Sequence, residues 1–225
     1  MKKVMVITIS IIILAAAHIN LTSAYQTDDK QQLLRTVKGQ VLTSTEMPAV
    51  RLKFDDKFKY AGGQSFILYD VARAEQHFFV DSDKDGRVKR LYWVQFEGYL
   101  PSNNHTYKYQ ANNVTKIGTL DFIADAFARK IIAGQSRPNS DGSRAQSFLE
   151  SKGYRLEGTD AMLQRLVHLV DESKRNELMI IYVENLDGTG ITAADLAPNG
   201  SAAARWEEMR KGLLERATKG VKISS

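Results

Sequence analysis

Apolar and polar residues alternate by twos along much of this chain. The first clear case begins at Val50, where Val50, Leu52 and Phe54 are separated by Arg51 and Lys53. A period of two marks a half-buried strand, predicted between Val50 and Tyr60. Asp55-Asp56 breaks the pattern and Gly62-Gly63 marks a turn. Residues 65–71 then form a strand that is apolar on both faces through Phe66, Ile67, Leu68 and Tyr69. By contrast, residues 25–48 are polar and weakly periodic, which predicts a surface segment with at most a short helix at 29–37.

The strongest unit is AEQHFFV, then DSDKDG, then RVKRLYWVQFEGYL, residues 74–100. Two aromatic and β-branched runs around an Asp/Gly cluster predict a β-hairpin, and Asp85-Gly86 suits a tight turn. A loop at those two residues sets Phe79 opposite Tyr92, His77 opposite Val94 and Glu75 opposite Phe96. One face then carries Glu75, His77, Phe79, Tyr92, Val94 and Phe96. The other carries Gln76, Phe78, Val80, Leu91, Trp93, Gln95 and Glu97. Neither is purely polar, so both must be covered, by helices, by a second sheet or by a ligand.

Farther on, His105–Tyr109 alternates like an edge strand. Leu120, Ile123, Ala124, Phe127, Ala128 and Ile131 recur at three- and four-residue steps, predicting a helix over 119–133 capped by Thr119 and ended by Gly134. Residues 135–143 read as a loop and 144–152 as a short helix. Residues 162–170 fit a helix, but with the charged run DESKRNE and the apolar LMIIYV they also fit a second hairpin, the favoured reading. Thr192 and Asp195 resemble a capping box. A final helix over 201–219 has Trp206, Met209, Leu213 and Ala217 as its core stripe. The expected fold is α+β: a curved antiparallel sheet of about five to seven strands with the 119–133 and 201–219 helices packed on it, in one domain over residues 49–225.

Charge changes little in this picture. The chain of 225 residues has 31 Lys+Arg and 26 Asp+Glu; residues 1–24 hold two of the lysines and no acid, leaving 29 against 26. Those 24 residues have a basic start at Lys2-Lys3, an apolar run from Val4 to Ala17 and small residues at Thr22 and Ala24. This is the pattern of a secretory signal cleaved after Ala24, with Ala17 as the other cut and an uncleaved anchor as the runner-up. The expected destination is the periplasm or the medium of a bacterium, with no integral span once the signal is removed. There is no Cys, hence neither disulfides nor a lipid-bearing cysteine. Three N-x-T triplets, at Asn20, Asn104 and Asn113, are short enough to arise by chance. Near-balanced charge without a basic cluster argues against a nucleic-acid partner, and Trp93, Tyr99, Tyr107 and Tyr109 read as cross-strand packing.

Candidate chemistry is sparse. Asp81, Asp83, Asp85 and Gly86 resemble the start of an EF-hand loop, but Tyr92 stands where a bidentate Glu is required and Lys84, Arg87 and Lys89 crowd the loop. A solvated turn is the better reading, and no metal is expected. Glu75 and His77 share a face and could form an acid/base pair. Phe79, Tyr92 and Phe96 beside them could line a cavity. The common covalent, zinc and cofactor signatures are absent. The sequence therefore points to a non-enzymatic exported protein that binds a small, partly apolar ligand. Acid/base hydrolysis at His77/Glu75 and a structural or partner-binding role in the envelope are the rival expectations.

Overall fold

A computed structural model of the chain describes residues 32–110, 113–132 and 134–224. The leader expected at 1–24, and residues 29–31 of the short helix expected at 29–37, lie outside this range. The described chain is mostly antiparallel sheet with two α-helices, an α+β arrangement richer in strands than its sequence suggests. The strands are β1 (Thr36–Lys38), β2 (Val41–Ser44), β3 (Val50–Phe54), β4 (Lys59–Leu68), β5 (Ala72–Ser82), β6 (Val88–Tyr99), β7 (Val114–Ile117), β8 (Leu120–Lys130), β9 (Asp160–Leu169), β10 (Asn176–Asn185) and β11 (Val221–Ser224). The helices are α1 (Asp141–Ser151) and α2 (Trp206–Lys219), the latter entered through a 3₁₀ turn at Ala203–Arg205. Seven strands form one sheet in the order β4-β5-β6-β10-β9-β8-β7, and four form a smaller sheet in the order β1-β2-β3-β11.

The hairpin of β5 and β6 has the expected register: Glu75 faces Phe96, His77 faces Val94 and Phe79 faces Tyr92. Its turn is longer than Asp85-Gly86 alone, because Asp83 and Arg87 close the loop at 3.0 Å. A bulge after Asp81 restores the pairing. Gly86, at φ +79°, is obligatory there: a Cβ would lie 2.2 Å from the Gly153 carbonyl oxygen. The second hairpin also forms, as β9 and β10, with Tyr182 opposite Gln164 and Ile180 opposite Leu166.

Both hairpin faces are covered. On one side lie the small sheet and α2, which bury Leu52, Phe54, Phe79, Tyr92, Leu178, Ile180 and Leu213 in a core common to both sheets. On the other, α1 contributes Ala145 and Leu149 to a core with Phe78, Leu91, Val167, Met179 and Ile181. Ser140 caps α1 by accepting the Ser143 N–H at 3.1 Å, so this helix starts earlier than residue 144.

Several expectations are corrected. Residues 120–130 are a strand, not part of a helix over 119–133. Leu120, Phe122, Ala124, Ala126 and Ala128 also repeat every two residues, and they meet the α2-side core while Phe127 turns to the other. Pairing from Ile123–Val167 to Lys130–Asp160 satisfies the backbone that a helix would otherwise satisfy. The tight turn at Gly118-Thr119 starts this strand. Gly118 has φ +60°, and a Cβ there would stand 2.0 Å from the Ile223 carbonyl oxygen. His105–Tyr109 runs without a ladder. The Thr192–Asp195 box forms, with Thr192 N–H and Oγ1 donating to Asp195 Oδ2 at 2.9 and 2.7 Å, but it opens a series of turns rather than a helix. The last helix begins at Trp206, not Ser201. Residues 36–44 are not a loose surface segment, for they supply β1 and β2 and bury Leu42 completely.

Candidate functional site

Among the described residues, the hairpin positions singled out from the sequence lie deep in the fold. Phe79 and Tyr92 have no exposed surface and Phe96 only 2%. Phe79 stacks on Phe54 of β3 at 4.0 Å, and Tyr92 packs between Phe58 and Tyr182, each at 4.8 Å. The Tyr92 hydroxyl donates to the Ala217 carbonyl at 2.7 Å. The Arg35 guanidinium lies 4.3 Å from the centre of the Phe96 ring. The cover that the sequence demanded over this face comes from β3, Phe58 and α2.

Glu75 and His77 do meet. His77 Nε2 donates to Glu75 Oε1 at 2.8 Å, and His77 Nδ1 shares a hydrogen bond with the half-buried Tyr60 hydroxyl at 2.9 Å. Glu75 also accepts the N–H groups of Leu34 and Arg35, at 3.0 and 2.9 Å, and the Arg35 guanidinium at 3.2 Å. Burial alone would push the Glu75 carboxyl up. The hydrogen bonds from His77, Leu34 and Arg35 outweigh it and hold the group below the ordinary carboxylate range. Burial, then the Glu75 charge, pushes the Tyr60 phenol up to about 12. His77 is wholly enclosed. The network fastens the segment before β1 to the large sheet, and Arg35, unnoticed in the sequence, is its anchor.

The three aspartates of the DSDKDG loop do not converge. Asp81 pairs with Arg90 through Nε at 2.8 Å, while Asp83 Oδ1 accepts the N–H groups of Asp85 and Arg87, each at 2.9 Å. These are turn and ion-pair roles.

Among the described residues, open concavity lies in two other places: a largely polar hollow of about 550 Å³ among Arg87, Arg90, Met162, Glu184, Met209 and Arg216, and the surface along β8. Because Ala126 and Ala128 are small, the sheet there is not filled by α2. A groove of about 580 Å³ opens over them, walled by Leu196, Pro198, Ala203 and Trp206. A hollow of about 360 Å³ shares Ala126 and includes Gln164, Arg210 and Leu214. A third, of about 410 Å³, shares Ala128 and Ala193 and includes Arg129, Lys130, Asp160 and Thr192. Shared lining residues make the three one trough, apolar in the middle and polar at both ends. The signal in the sequence was the A-x-A-x-A of residues 124–128, which a helical reading hides.

A second polar cluster lies on the α1 face. Glu97 of β6 and Glu177 of β10 are direct cross-strand partners. Glu97 accepts from Tyr107 at 2.8 Å and from Gln95 at 2.5 Å, and Glu177 accepts from Tyr109 at 2.7 Å. Gln95 continues through Gln76 to Gln64 by amide hydrogen bonds of 2.7 Å each. Burial pushes the Glu177 carboxyl up to about 8, opposed by the Tyr109 hydrogen bond and reinforced by Glu97. Burial raises Glu97 too, against the hydrogen bonds from Tyr107 and Gln95. The sequence placed Glu97 on this face but hid Glu177 in a charged run that reads as a turn.

No family profile, curated protein or solved structure matches the chain. Among the described residues, no helix is long and apolar enough to cross a membrane.

Proposed function

We propose that this is an exported, non-enzymatic binding protein that takes a small, partly apolar ligand in the trough along β8. The leader pattern of residues 1–24 supports the export. The observation that carries the binding is the apolar middle of the trough: about 580 Å³ between Ala126, Ala128, Pro198 and Trp206, a volume suited to a small organic ligand. With Phe79, Tyr92 and Phe96 committed to packing, ligand contact passes to Trp206 and the alanine floor.

A neutral fluorescent probe, N-phenylnaphthylamine, tests this. It should bind the wild type and report energy transfer from tryptophan. Ala128→Phe fills the floor at a partly exposed position, and it should weaken binding about tenfold, equivalent to about 1.4 kcal/mol. Its melting temperature should shift by no more than about 2 °C. Equal affinity of both proteins for the probe, or no binding by either, rules the trough out as a ligand site.

A further inference from the structure

The trough runs along a strand edge whose backbone is only partly paired. At one end of β8 the Ile131 N–H donates to the Thr159 carbonyl at 2.8 Å, toward β9; nearer its start the Ala124 N–H donates to the Asn113 carbonyl at 2.9 Å, on the β7 side. Backbone groups of successive residues in an antiparallel ladder point to opposite neighbours. Asp125, Phe127 and Arg129 therefore bond β9, while Ala126, Ala128 and Lys130 turn their N–H and C=O groups to the β7 side. β7 pairs only with Leu120–Ile123, so among the described residues no strand meets those outward groups. They repeat over about 13 Å from Ala126 to Lys130, at roughly 3.3 Å per residue, which is the spacing of an extended polypeptide. Ala126 and Ala128 also stand beneath Pro198 and Trp206 in the trough. Arg129 points to the opposite face with Phe127 and Ile131, lies across from Ala161 on β9 and has no ion-pair partner among the described residues. Lys130, on the trough face, lies across from Asp160.

We propose that the ligand is an extended peptide segment, added as an antiparallel strand beside residues 126–130 of β8, with apolar side chains opposite Ala126 and Ala128 and a carboxylate opposite Arg129. This rests on the trough being the ligand site. The antiparallel direction continues that of β7, which occupies the same lane beside Leu120–Ile123. Residues directly opposite each other share a face of the sheet, so both apolar side chains enter the trough and the carboxylate falls on the other side. There it meets a guanidinium that no carboxylate faces across the ladder from β9. Main-chain hydrogen bonds to Ala128 and its outward neighbours hold the segment, and the alternating side chains select its sequence. The apolar pair removes surface from water along the alanine floor.

Fluorescence anisotropy of acetyl-Thr-Glu-Val-Thr-Val, labelled with fluorescein at its C-terminus, separates strand addition from simple filling of the trough. The peptide should bind the wild type saturably. N-methylation of the first valine, whose N–H faces the Ala128 carbonyl in this register, should weaken binding about tenfold or more. N-methylation of the threonine between the valines, whose N–H points away from β8, should change it by less than about twofold. Arg129→Glu should reverse the preference between this peptide and the counterpart with lysine in place of glutamate, and the preference in the wild type should shrink as ionic strength rises. Equal sensitivity at the two N-methyl positions, an unchanged preference in the variant, or no peptide binding by a protein that still binds N-phenylnaphthylamine overturns strand addition while leaving the trough intact. Failure of the neutral probe itself is the separate result that removes the trough. Ala128→Pro deletes an outward N–H without touching the β9 ladder. If the wild type fails to bind the peptide but sediments as a dimer that this variant makes monomeric, the edge takes a second copy of the chain and the proposal is wrong.

Discussion

Replacing Glu177 by Gln should stabilise the protein at neutral pH and not in acid. Glu177 is 3% exposed, lies opposite Glu97 and accepts a hydrogen bond from Tyr109 at 2.7 Å. Its carboxyl is raised from 4.5 to about 8, first by burial and then by the neighbouring Glu97 charge, with Tyr109 opposing. The folded state therefore holds this proton more tightly than the unfolded chain does. The group's contribution is greatest below pH 4.5 and falls as pH rises toward 8, because unfolding releases a proton throughout that window. At 1.36 kcal/mol per unit, the loss accumulated by pH 7 is about 3 kcal/mol. Glutamine keeps an oxygen for the Tyr109 hydroxyl and has no proton to lose. Guanidinium denaturation of both proteins at pH 4.5 and pH 7 should show a variant near or slightly below wild type in acid and about 2 to 3 kcal/mol more stable at pH 7. For a chain of this size that is roughly 4–12 °C in melting temperature. A difference between the two proteins that is the same at both pH values would refute the reasoning, since it would mean that Glu177 does not change its proton occupancy on folding in this range.

Two further outcomes follow from the network and from the β8 turn. Arg35→Ala should destabilise by about 3 kcal/mol at pH 7, because it leaves the buried Glu75 without its cation. Glu75 is lowered, so its stabilisation is present above its unfolded pKa of 4.5 and is lost as pH falls below it, opposite in sign to Glu177. The penalty should shrink in acid, as denaturation at pH 3.5 and 7 would show, and amide exchange should speed up first in residues 36–44. Gly118→Ala places a Cβ 2.0 Å from the Ile223 carbonyl at φ +60° and should cost at least about 2 kcal/mol; a melting temperature equal to wild type would contradict the turn geometry.

The hairpins were legible because alternation, aromatic content and an Asp/Gly cluster act over neighbouring residues, and register follows from parity alone. The α2 stripe was legible for the same local reason. Residues 120–130 were not, since Ala124, Ala126 and Ala128 together with Ile123 and Phe127 satisfy periods of two and of 3.6 equally; β9 decides between them, 40 residues away. Arg35 was hidden for a related cause: its meaning depends on Glu75, 40 positions later in the chain. The cavity expected beside Phe79 failed because a two-faced apolar hairpin says only that something must cover it. In this fold β3 and α2 do so fully, and the open space lies elsewhere on the molecule. Glu177 looked like part of a solvated turn, and its burial appears only once β6 is placed beside β10.

The roof over Phe79 also sets a timetable. Its middle strand, β3, is flanked by β2 on one side and by β11 on the other, and Phe54 is paired with Val221, 167 positions later. A ribosome adding about 5–20 residues per second needs roughly ten to thirty seconds to cover that distance. During that interval both long hairpins can already exist while half of their cover does not. From the completion of β6 until β11 is made, the nascent chain thus presents an aromatic sheet face, so any factor that must recognise this protein unfolded has that face and that interval in which to do it.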